Sequence, residues 1–219
     1  MKRFLSVLAV VVFVVGVVGC TSTQKGAVIG GTGGAVLGGV LGNQAGNTAV
    51  GAIIGAAVGG AAGAWIGHHM DQQAEELDQE LANARIERVG EGIKITFDSG
   101  ILFDSNQSTL RSAAQANLTN LATVLQKYSD TDIIVYGHTD SDGSEEHNLE
   151  LSRQRAQAVQ NYLAGLNVDP TRFSILGMGE GQPVASNESA EGKQQNRRVE
   201  LAIMANEELK RQAEQQVQG

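Results

Sequence analysis

Acidic and basic residues in the second half of the chain meet at one predicted connection between a strand and a helix. The apolar run at residues 133–136 leads into the motif GHTD, whose last residue is Asp140, and a helical pattern follows from Leu149. On that helix Arg155 shares a stripe with Val159 and leans toward the apolar side. Because a buried guanidinium needs a partner, Asp140 is the nearest candidate in this connection. The pair could be a salt bridge that positions the loop, or it could bind a ligand.

The same connection carries groups that hydrolases use, namely His138, Asp140, Ser141 and Ser144. However, His138 and Asp140 are two residues apart in one loop, and the sequence has no nucleophile-elbow motif. The later motif GMGEG, at residues 177–181, is not followed by the Gly-Lys-Ser/Thr of a phosphate-binding loop. We therefore expect a binding site and not an enzyme, with no metal and no cofactor.

Hydrophobic periodicity predicts the elements that position these residues. Strands are expected at residues 85–89, 93–97, 133–136, 173–178 and 199–204, and helices at 110–128 and 149–163. Such alternation predicts an α+β fold, an α/β two-layer sandwich with helices on one face of the sheet, over residues 89–205. Residues 206–219 form a polar tail, expected as a trailing helix.

Composition excludes several classes of protein. With 219 residues, of which 42% are hydrophobic, the chain can bury a proper core. The formal net charge of −8 argues against nucleic acid as a partner. The single cysteine excludes an intramolecular disulfide and a cysteine-based zinc cluster.

Residues 1–19 have the composition of an export signal, in which two basic residues precede a 15-residue uncharged apolar run. The run ends in the motif VVGC, which resembles a bacterial lipobox and predicts lipid attachment at Cys20. Residues 20–25 would then be the lipidated N-terminus of the mature protein. Thr21 stands where inner-membrane lipoproteins usually carry Asp, so the resemblance favours the outer membrane. An ordinary signal peptide is the alternative.

Residues 26–67 carry no charged residue and contain 15 of the 28 glycines of the chain. The glycines that repeat at a step of four, with one step of five, are Gly26, Gly30, Gly34, Gly38, Gly42, Gly46, Gly51, Gly55, Gly59, Gly63 and Gly67. On a helix this spacing gives a bare stripe against which another backbone can pack. We predict a glycine-zipper helical hairpin, whose second arm at 49–67 would measure about 28 Å. The hairpin could insert into lipid, or it could remain peripheral or self-associate.

Residues 68–88 are predicted as a helical linker that separates the membrane from the last domain. The apolar residues of this segment follow a 4-3-4-3 spacing: Met70, Ala74, Leu77, Leu81 and Ala84. That spacing is typical of an amphipathic helix and permits a short coiled-coil contact.

Four motifs of the last domain resemble the OmpA-like peptidoglycan-binding domain shared by OmpA, Pal and flagellar stator proteins. They are GHTDSDGS at 137–144, N-x-x-LS-x-x-RA at 148–156, GMGEGQP at 177–183 and NRRVEL at 196–201. The resemblance extends over the predicted elements in order, and the combination is specific. With the lipobox and the zipper in front, the chain resembles the small OmpA-family outer-membrane lipoproteins of the YiaD type.

The resemblance implies roles for five residues. Asp140 would accept hydrogen bonds from the ammonium group of diaminopimelate in the peptidoglycan stem peptide, and Arg155 would bind its carboxylate. Asn106 and Asn148 match family positions that supply neutral polar contacts, and Arg197 matches the first arginine of the family motif NRRV.

The resemblance further implies a function. The chain would be anchored in the outer membrane through acylated Cys20, its last domain would face the periplasm, and it would tether the membrane to peptidoglycan. The alternative is an oligomeric glycine-zipper membrane protein, or an envelope-assembly factor, in which wall binding only localises the protein.

Overall fold

The computed structural model describes residues 47–218. The leader, Cys20 and the first zipper arm lie outside these residues. The helices are α1 (Thr48–Ala56), α2 (Gly60–Glu80), α3 (Ser99–Leu102), α4 (Ser112–Lys127), α5 (Glu145–Gly165), α6 (Ala190–Asn196) and α7 (Glu207–Gln218), with one 3₁₀ turn at Pro170–Arg172. The strands are β1 (Ala84–Val89), β2 (Gly92–Asp98), β3 (Thr131–Gly137), β4 (Phe173–Gly177) and β5 (Arg198–Ala205). The predicted α+β class is confirmed.

The five strands form one sheet in the order β1-β2-β5-β3-β4. Strand β5 lies in the middle and pairs antiparallel with both β2 and β3, while β4 is parallel to β3. The antiparallel register sets Tyr136 opposite Glu200 and Gly137 opposite Val199. The ends of β3 and β4 and the beginning of β5 therefore lie side by side at one edge of the sheet.

The main core lies between one face of this sheet and helices α2, α4, α5 and α7. Alternation along the strands sends every second side chain to this face, including Ile95, Phe97 and Leu201, which are fully buried. Helix α4 contributes Leu118 and Leu121 to the same cluster. The predicted packing of helices on this face is confirmed, and the tail helix α7 also belongs to the core.

The segment predicted as a linker, residues 68–88, is divided between a helix and a strand. Helix α2 ends at Glu80, and the following strand β1 pairs with β2. Met70 and Leu77 of α2 are fully buried in the main core. The predicted spacer role is therefore wrong for these residues, because the apolar stripe of α2 packs against its own domain and not against a partner helix.

The second zipper arm is not the single helix that its glycine spacing predicts. It is divided into α1 and the first turns of α2, and Gly59 and Gly60, which precede and begin α2, have φ of 77° and 64°. Helix α1 covers the other face of the sheet, where Ala49, Ala52 and Ile53 form a second apolar cluster with Tyr136, Ala202 and Met204. Among residues 47–218, no helix is both long enough and apolar enough to cross a membrane.

Candidate functional site

Two glycines at strand ends bring helix α5 close to the edge of the sheet. A β-carbon on Gly137 would lie 1.9 Å from the carbonyl oxygen of Ser152, and one on Gly177 would lie 2.8 Å from that of Leu149. Side chains at these positions would push the helix away from β3 and β4. The absence of a side chain thus places the first half of α5 beside the loop that contains Asp140.

Hydrogen bonds connect the loop between β3 and α5 to the turn after β4 and to the first turn of α5. The amide of Thr139 donates to the carbonyl of Gly179 at 2.9 Å, and the amide of Gly179 donates to the hydroxyl of Ser152 at 2.9 Å. Ser144 caps helix α5 by accepting from the amide of His147 at 3.2 Å. These contacts fix the position of the loop.

All five sequence-predicted ligand residues line one cavity of about 360 Å³ at this edge of the sheet. They are Asn106, Asp140, Asn148, Arg155 and Arg197. The remaining lining residues are Ser105, Thr139, Asp142, Gly143, His147 and Leu151. The structure therefore brings together five predicted residues that are up to 91 positions apart in the sequence, and the volume is suited to a group the size of an amino acid.

Asp140 is 6% exposed and forms an ion pair with Arg197, whose Nη1 lies 2.5 Å from Oδ2. The other carboxylate oxygen, Oδ1, accepts from the amide of Asp142 at 3.1 Å. The expectation that Asp140 is the direct partner of Arg155 is wrong, because Arg197 occupies that position. Arg197 reaches Asp140 because β5 lies next to β3 in the sheet.

Arg155 is only 3% exposed, and its side chain is positioned by one hydrogen bond and by one aromatic ring. Its Nε donates to the carbonyl of Gln107 at 3.0 Å, and its guanidinium carbon lies 5.4 Å from the centre of the Phe103 ring. Within residues 47–218, Nη1 and Nη2 make no hydrogen bond. Burial lowers the pKa of Arg155, the charge of Asp140 opposes this shift, and the charge of Arg197 adds to it. The cavity thus contains a desolvated cation whose two terminal nitrogens can still donate.

Asn148 is 2% exposed, and both hydrogens of its amide are used within the protein. Its Nδ2 donates to the carbonyl of Asp140 at 3.2 Å and to Oε2 of Glu180 at 2.5 Å. The side-chain oxygen alone is therefore left to accept from a ligand. Glu180 was not expected from the sequence, although it belongs to the glycine-rich turn that the sequence singles out.

Asn106 lies across the cavity in a left-handed backbone conformation, with φ of 55°. Asparagine tolerates this conformation better than most residues. Its Oδ1 lies 2.9 Å from Nε2 of His147, so a hydrogen bond links its loop to helix α5. The role of His147 was missed in the sequence, where its only signal is that it directly precedes Asn148.

His138 lies next to this site without lining the cavity. It is 1% exposed, and neither ring nitrogen has a hydrogen-bond partner within residues 47–218. Burial, and secondarily the charge of Arg198, holds the pKa of His138 well below its usual range. The imidazole is therefore neutral, and it makes no hydrogen bond to Asp140 of the kind that a hydrolase would use.

Comparison with known proteins identifies two regions. Residues 102–197 match the family model described as "OmpA family", and residues 1–71 match that described as "YMGG-like Gly-zipper". All five predicted ligand residues fall within 102–197, which also contains the whole lining of the cavity.

Two relatives extend these matches. The protein named "Probable lipoprotein YiaD" of Escherichia coli (strain K12) is 39% identical over 140 residues, which are 63% of this chain and 64% of that one. "Peptidoglycan-binding protein ArfA" of Mycobacterium bovis is 36% identical over 103 residues, 47% of this chain and 32% of that one. The chain thus spans less than two thirds of either relative.

Among solved structures, the cell wall anchor of the T6SS from Pseudomonas aeruginosa has a similar fold, with a TM-score of 0.54 and 30% sequence identity. The similarity covers 63% of this chain and 97% of that one. The fold, the motifs at the sheet edge and the family matches agree. Residues 102–197 are an OmpA-family domain, which this chain carries behind a YMGG-like glycine zipper.

Proposed function

We propose that the OmpA-family domain binds peptidoglycan non-covalently, through the diaminopimelate residue of the stem peptide. The observation that carries this proposal is the state of Arg155 in the cavity. Its guanidinium is buried and positioned by Gln107, yet its two terminal nitrogens have no acceptor among residues 47–218. A buried cation of this kind is stabilised when a carboxylate enters the cavity.

The free end of diaminopimelate carries an ammonium group and a carboxylate on the same carbon atom. The planar guanidinium of Arg155 can donate two parallel hydrogen bonds to that carboxylate. The carboxylate of Asp140 and the side-chain oxygen of Asn148 are the acceptors available for the ammonium. Arg197 balances part of the charge of Asp140, and the second carboxylate of the lining, Asp142, is paired with Lys193.

The relatives support peptidoglycan as the partner. One is named as a peptidoglycan-binding protein, and the solved neighbour is described as a cell wall anchor. Those descriptions concern those proteins. They favour the cell wall over other polymers whose ends carry an ammonium group and a carboxylate.

We further propose that the chain tethers the outer membrane to the wall. In this proposal acyl chains on Cys20 hold the outer membrane, and the OmpA-family domain faces the periplasm. The "Probable lipoprotein" name of the Escherichia coli relative supports the anchor. Two attachments on one chain raise the effective concentration of each, so a modest affinity for each wall site is sufficient.

We also propose that the site binds its ligand without chemical change, and without a cofactor. The buried imidazole of His138 makes no hydrogen bond to Asp140 within residues 47–218, so the cavity has no activated nucleophile of the serine hydrolase type. A sensitive check is the mass of the stem peptide, which should be unchanged after prolonged incubation with the protein.

The test compares two stem peptides, one with diaminopimelate and one with lysine, which lacks the second carboxylate. Full-length protein in detergent micelles should be used, because Met70 and Leu77 belong to the core and a fragment that begins at residue 85 would lose them. Wild type should bind the diaminopimelate peptide more tightly and cosediment with diaminopimelate-type sacculi. Arg155→Ala should weaken binding of that peptide by roughly 30-fold or more, since truncating one partner of a buried charge pair costs at least about 2 kcal/mol.

The decisive feature is that Arg155→Ala should leave the lysine peptide almost unaffected, so the preference between the two peptides disappears. Arg153→Ala is the matched control, because Arg153 lies on the same helix but is exposed and pairs with Glu150. An equal loss for both peptides would assign Arg155 to folding or to general attraction. Failure of wild type to bind sacculi would refute peptidoglycan binding itself.

A further inference from the structure

The break between helices α1 and α2 contradicts the local sequence pattern. The glycine stripe at Gly51, Gly55, Gly59 and Gly63 runs through the break without a change of step. That pattern predicts one continuous helix, whereas the structure has an extended Ala57, followed by Gly59 and Gly60 at positive φ. Residues that carry a side chain rarely adopt positive φ, so the break depends on the two glycines.

A residue of the domain stabilises the broken form. The carboxylate of Glu91, in the turn between β1 and β2, accepts from the amides of Val58 and Gly59 at 2.7 Å each. In a continuous helix these two amides would instead donate to the carbonyls of Ile54 and Gly55. The broken and continuous forms therefore satisfy the same amides in different ways.

The two helices lie on opposite faces of the sheet. Helix α2 belongs to the main core, whereas α1 covers the second apolar cluster through Ala49, Ala52 and Ile53. Two of these three side chains are only methyl groups, so α1 buries little apolar surface. Its release exposes Tyr136 and Ala202, which α1 otherwise covers.

We propose that residues 57–60 are a hinge and that helix α1 is exchanged between two copies of this chain. When the hinge straightens, residues 48–80 become one helix, and α1 covers the Tyr136 face of the partner copy. The exchange is reciprocal, so each copy regains the contacts that it loses, as in domain swapping.

One observation and one prediction favour a second copy as the partner. The face of the sheet that α1 covers is complementary to α1. At Gly92, for example, a β-carbon would lie 2.5 Å from Cγ2 of Ile53. The predicted lipid anchor also confines copies of the chain to one membrane, which raises their local concentration. The hinge and the α1 cluster share no residue with the lining of the cavity, so the exchange and ligand binding can be tested separately.

The test uses two chains that each carry one cysteine in addition to Cys20, Ile53→Cys and Ala202→Cys, mixed in detergent micelles and oxidised. The two positions belong to the same buried cluster, and in this mixture a disulfide between them can form only between copies. The full chain without an added cysteine gives the background from Cys20. The heterodimer is measured on a non-reducing gel as the covalent dimer of the mixture in excess of that formed when each chain is oxidised alone, with molar mass from light scattering.

Adding Gly59→Ala and Gly60→Ala to both chains should increase the heterodimer strongly. The substitutions disfavour positive φ and favour helix, and together shift the ratio of straight to broken hinge on the order of a hundredfold or more. Gly67→Ala is the matched control, because its β-carbon finds nothing nearer than 3.9 Å and its backbone is helical. This control should leave the heterodimer at the level of the unmodified hinge.

Glu91→Ala provides a second variant, which leaves the sequence of the zipper unchanged and removes the acceptor of the broken form. Like the hinge substitutions, it should increase the amount of heterodimer. The proposal is overturned if the hinge variants stay monomeric while remaining folded by circular dichroism. It is also overturned if they dimerise without forming the heterodimer, because the copies would then meet through another surface.

Discussion

Two buried arginines stand near opposite ends of strand β3, and the groups around them differ. Arg172 is 9% exposed and lies near the beginning of the strand, while Arg155 is 3% exposed and lies near its end. Burial lowers the pKa of both, and in both cases nearby carboxylates oppose the shift. Neither burial nor the direction of the pKa shift distinguishes them.

Hydrogen bonding does distinguish them. Arg172 donates to the carbonyls of Thr131, Leu125 and Tyr128 and to the hydroxyl of Thr131, at distances of 2.7–2.9 Å. Arg155 donates once, from Nε, among residues 47–218. The comparison teaches that a buried charge indicates a ligand only when its donors remain unused.

The same contrast extends to the neighbours of each arginine. At the end of β3, both nitrogens of His138 and the hydroxyl of Thr139 have no partner within the described residues. At the beginning of β3, Thr131 is fully buried and its hydroxyl is bonded to both Tyr128 and Arg172. Of the two ends of β3, the end beside the cavity is therefore the one whose buried polar side chains lack partners, while the other unpartnered buried atoms of the described residues lie on α2, β1, β2 and α3.

The largest expected effect concerns Arg172. Arg172→Ala removes the arginine donor from the buried carbonyls of Leu125 and Thr131 and one of two donors from that of Tyr128, and each buried group left unsatisfied costs about 1–3 kcal/mol. We expect the free energy of unfolding in urea to fall by about 3–5 kcal/mol. Binding by the folded fraction should be unchanged. A loss below about 1 kcal/mol would remove the contrast between the two arginines.

The next effect is the pH dependence of stability, which His138 should dominate between about pH 5 and 7. The pKa of His138 is lowered in the folded protein, so the unfolded chain binds a proton near pH 6.5 that the folded chain does not. Stability should therefore decrease as pH falls below about 6.5, by at most about 1.4 kcal/mol per pH unit. His138→Gln should flatten the curve measured by urea unfolding. An identical slope in the variant would assign the effect elsewhere.

A smaller effect on stability is expected for Arg155. Arg155→Met removes a desolvated charge and one hydrogen bond to Gln107, which act in opposite directions. The free energy of unfolding should change by less than about 1 kcal/mol or should increase, while binding of the diaminopimelate peptide is lost. Measuring both quantities on one sample separates this residue from Arg172. A loss of stability as large as that of Arg172→Ala would make the two arginines equivalent.

Most of the domain could be predicted from hydrophobic periodicity, because its strands and helices bury one face in the usual way. The pattern could not predict where α1 lies, since a stripe of glycine and alanine suits packing against a sheet as well as against a helix. It also failed at Gly59, where a carboxylate more than 30 residues away stabilises a break in the helix. Local spacing carries no information about such a contact.

The site was predicted in part. Periodicity on α5 placed Arg155 toward the apolar side, and the side chain is indeed buried. The pairing of Asp140 with Arg197 could not be predicted, because it joins residues 57 positions apart and depends on β5 lying beside β3. For the same reason His147 and Glu180 were not expected, since each acts on a residue from another element.

The smallest expected effect concerns His147. It tests whether ligand binding depends on the hydrogen bond that positions Asn106 in the lining of the cavity. His147→Ala removes the hydrogen bond that links Asn106 to helix α5. We expect binding of the diaminopimelate peptide to weaken by about two- to tenfold, the value of one hydrogen bond of about 0.5–1.5 kcal/mol. His147→Gln keeps a donor and should recover part of the loss, with no change in the free energy of unfolding for either variant, because the side chain is exposed. If both variants bind like wild type, the position of Asn106 does not depend on His147, and the contacts of Asp140, Asn148 and Arg155 are sufficient for recognition.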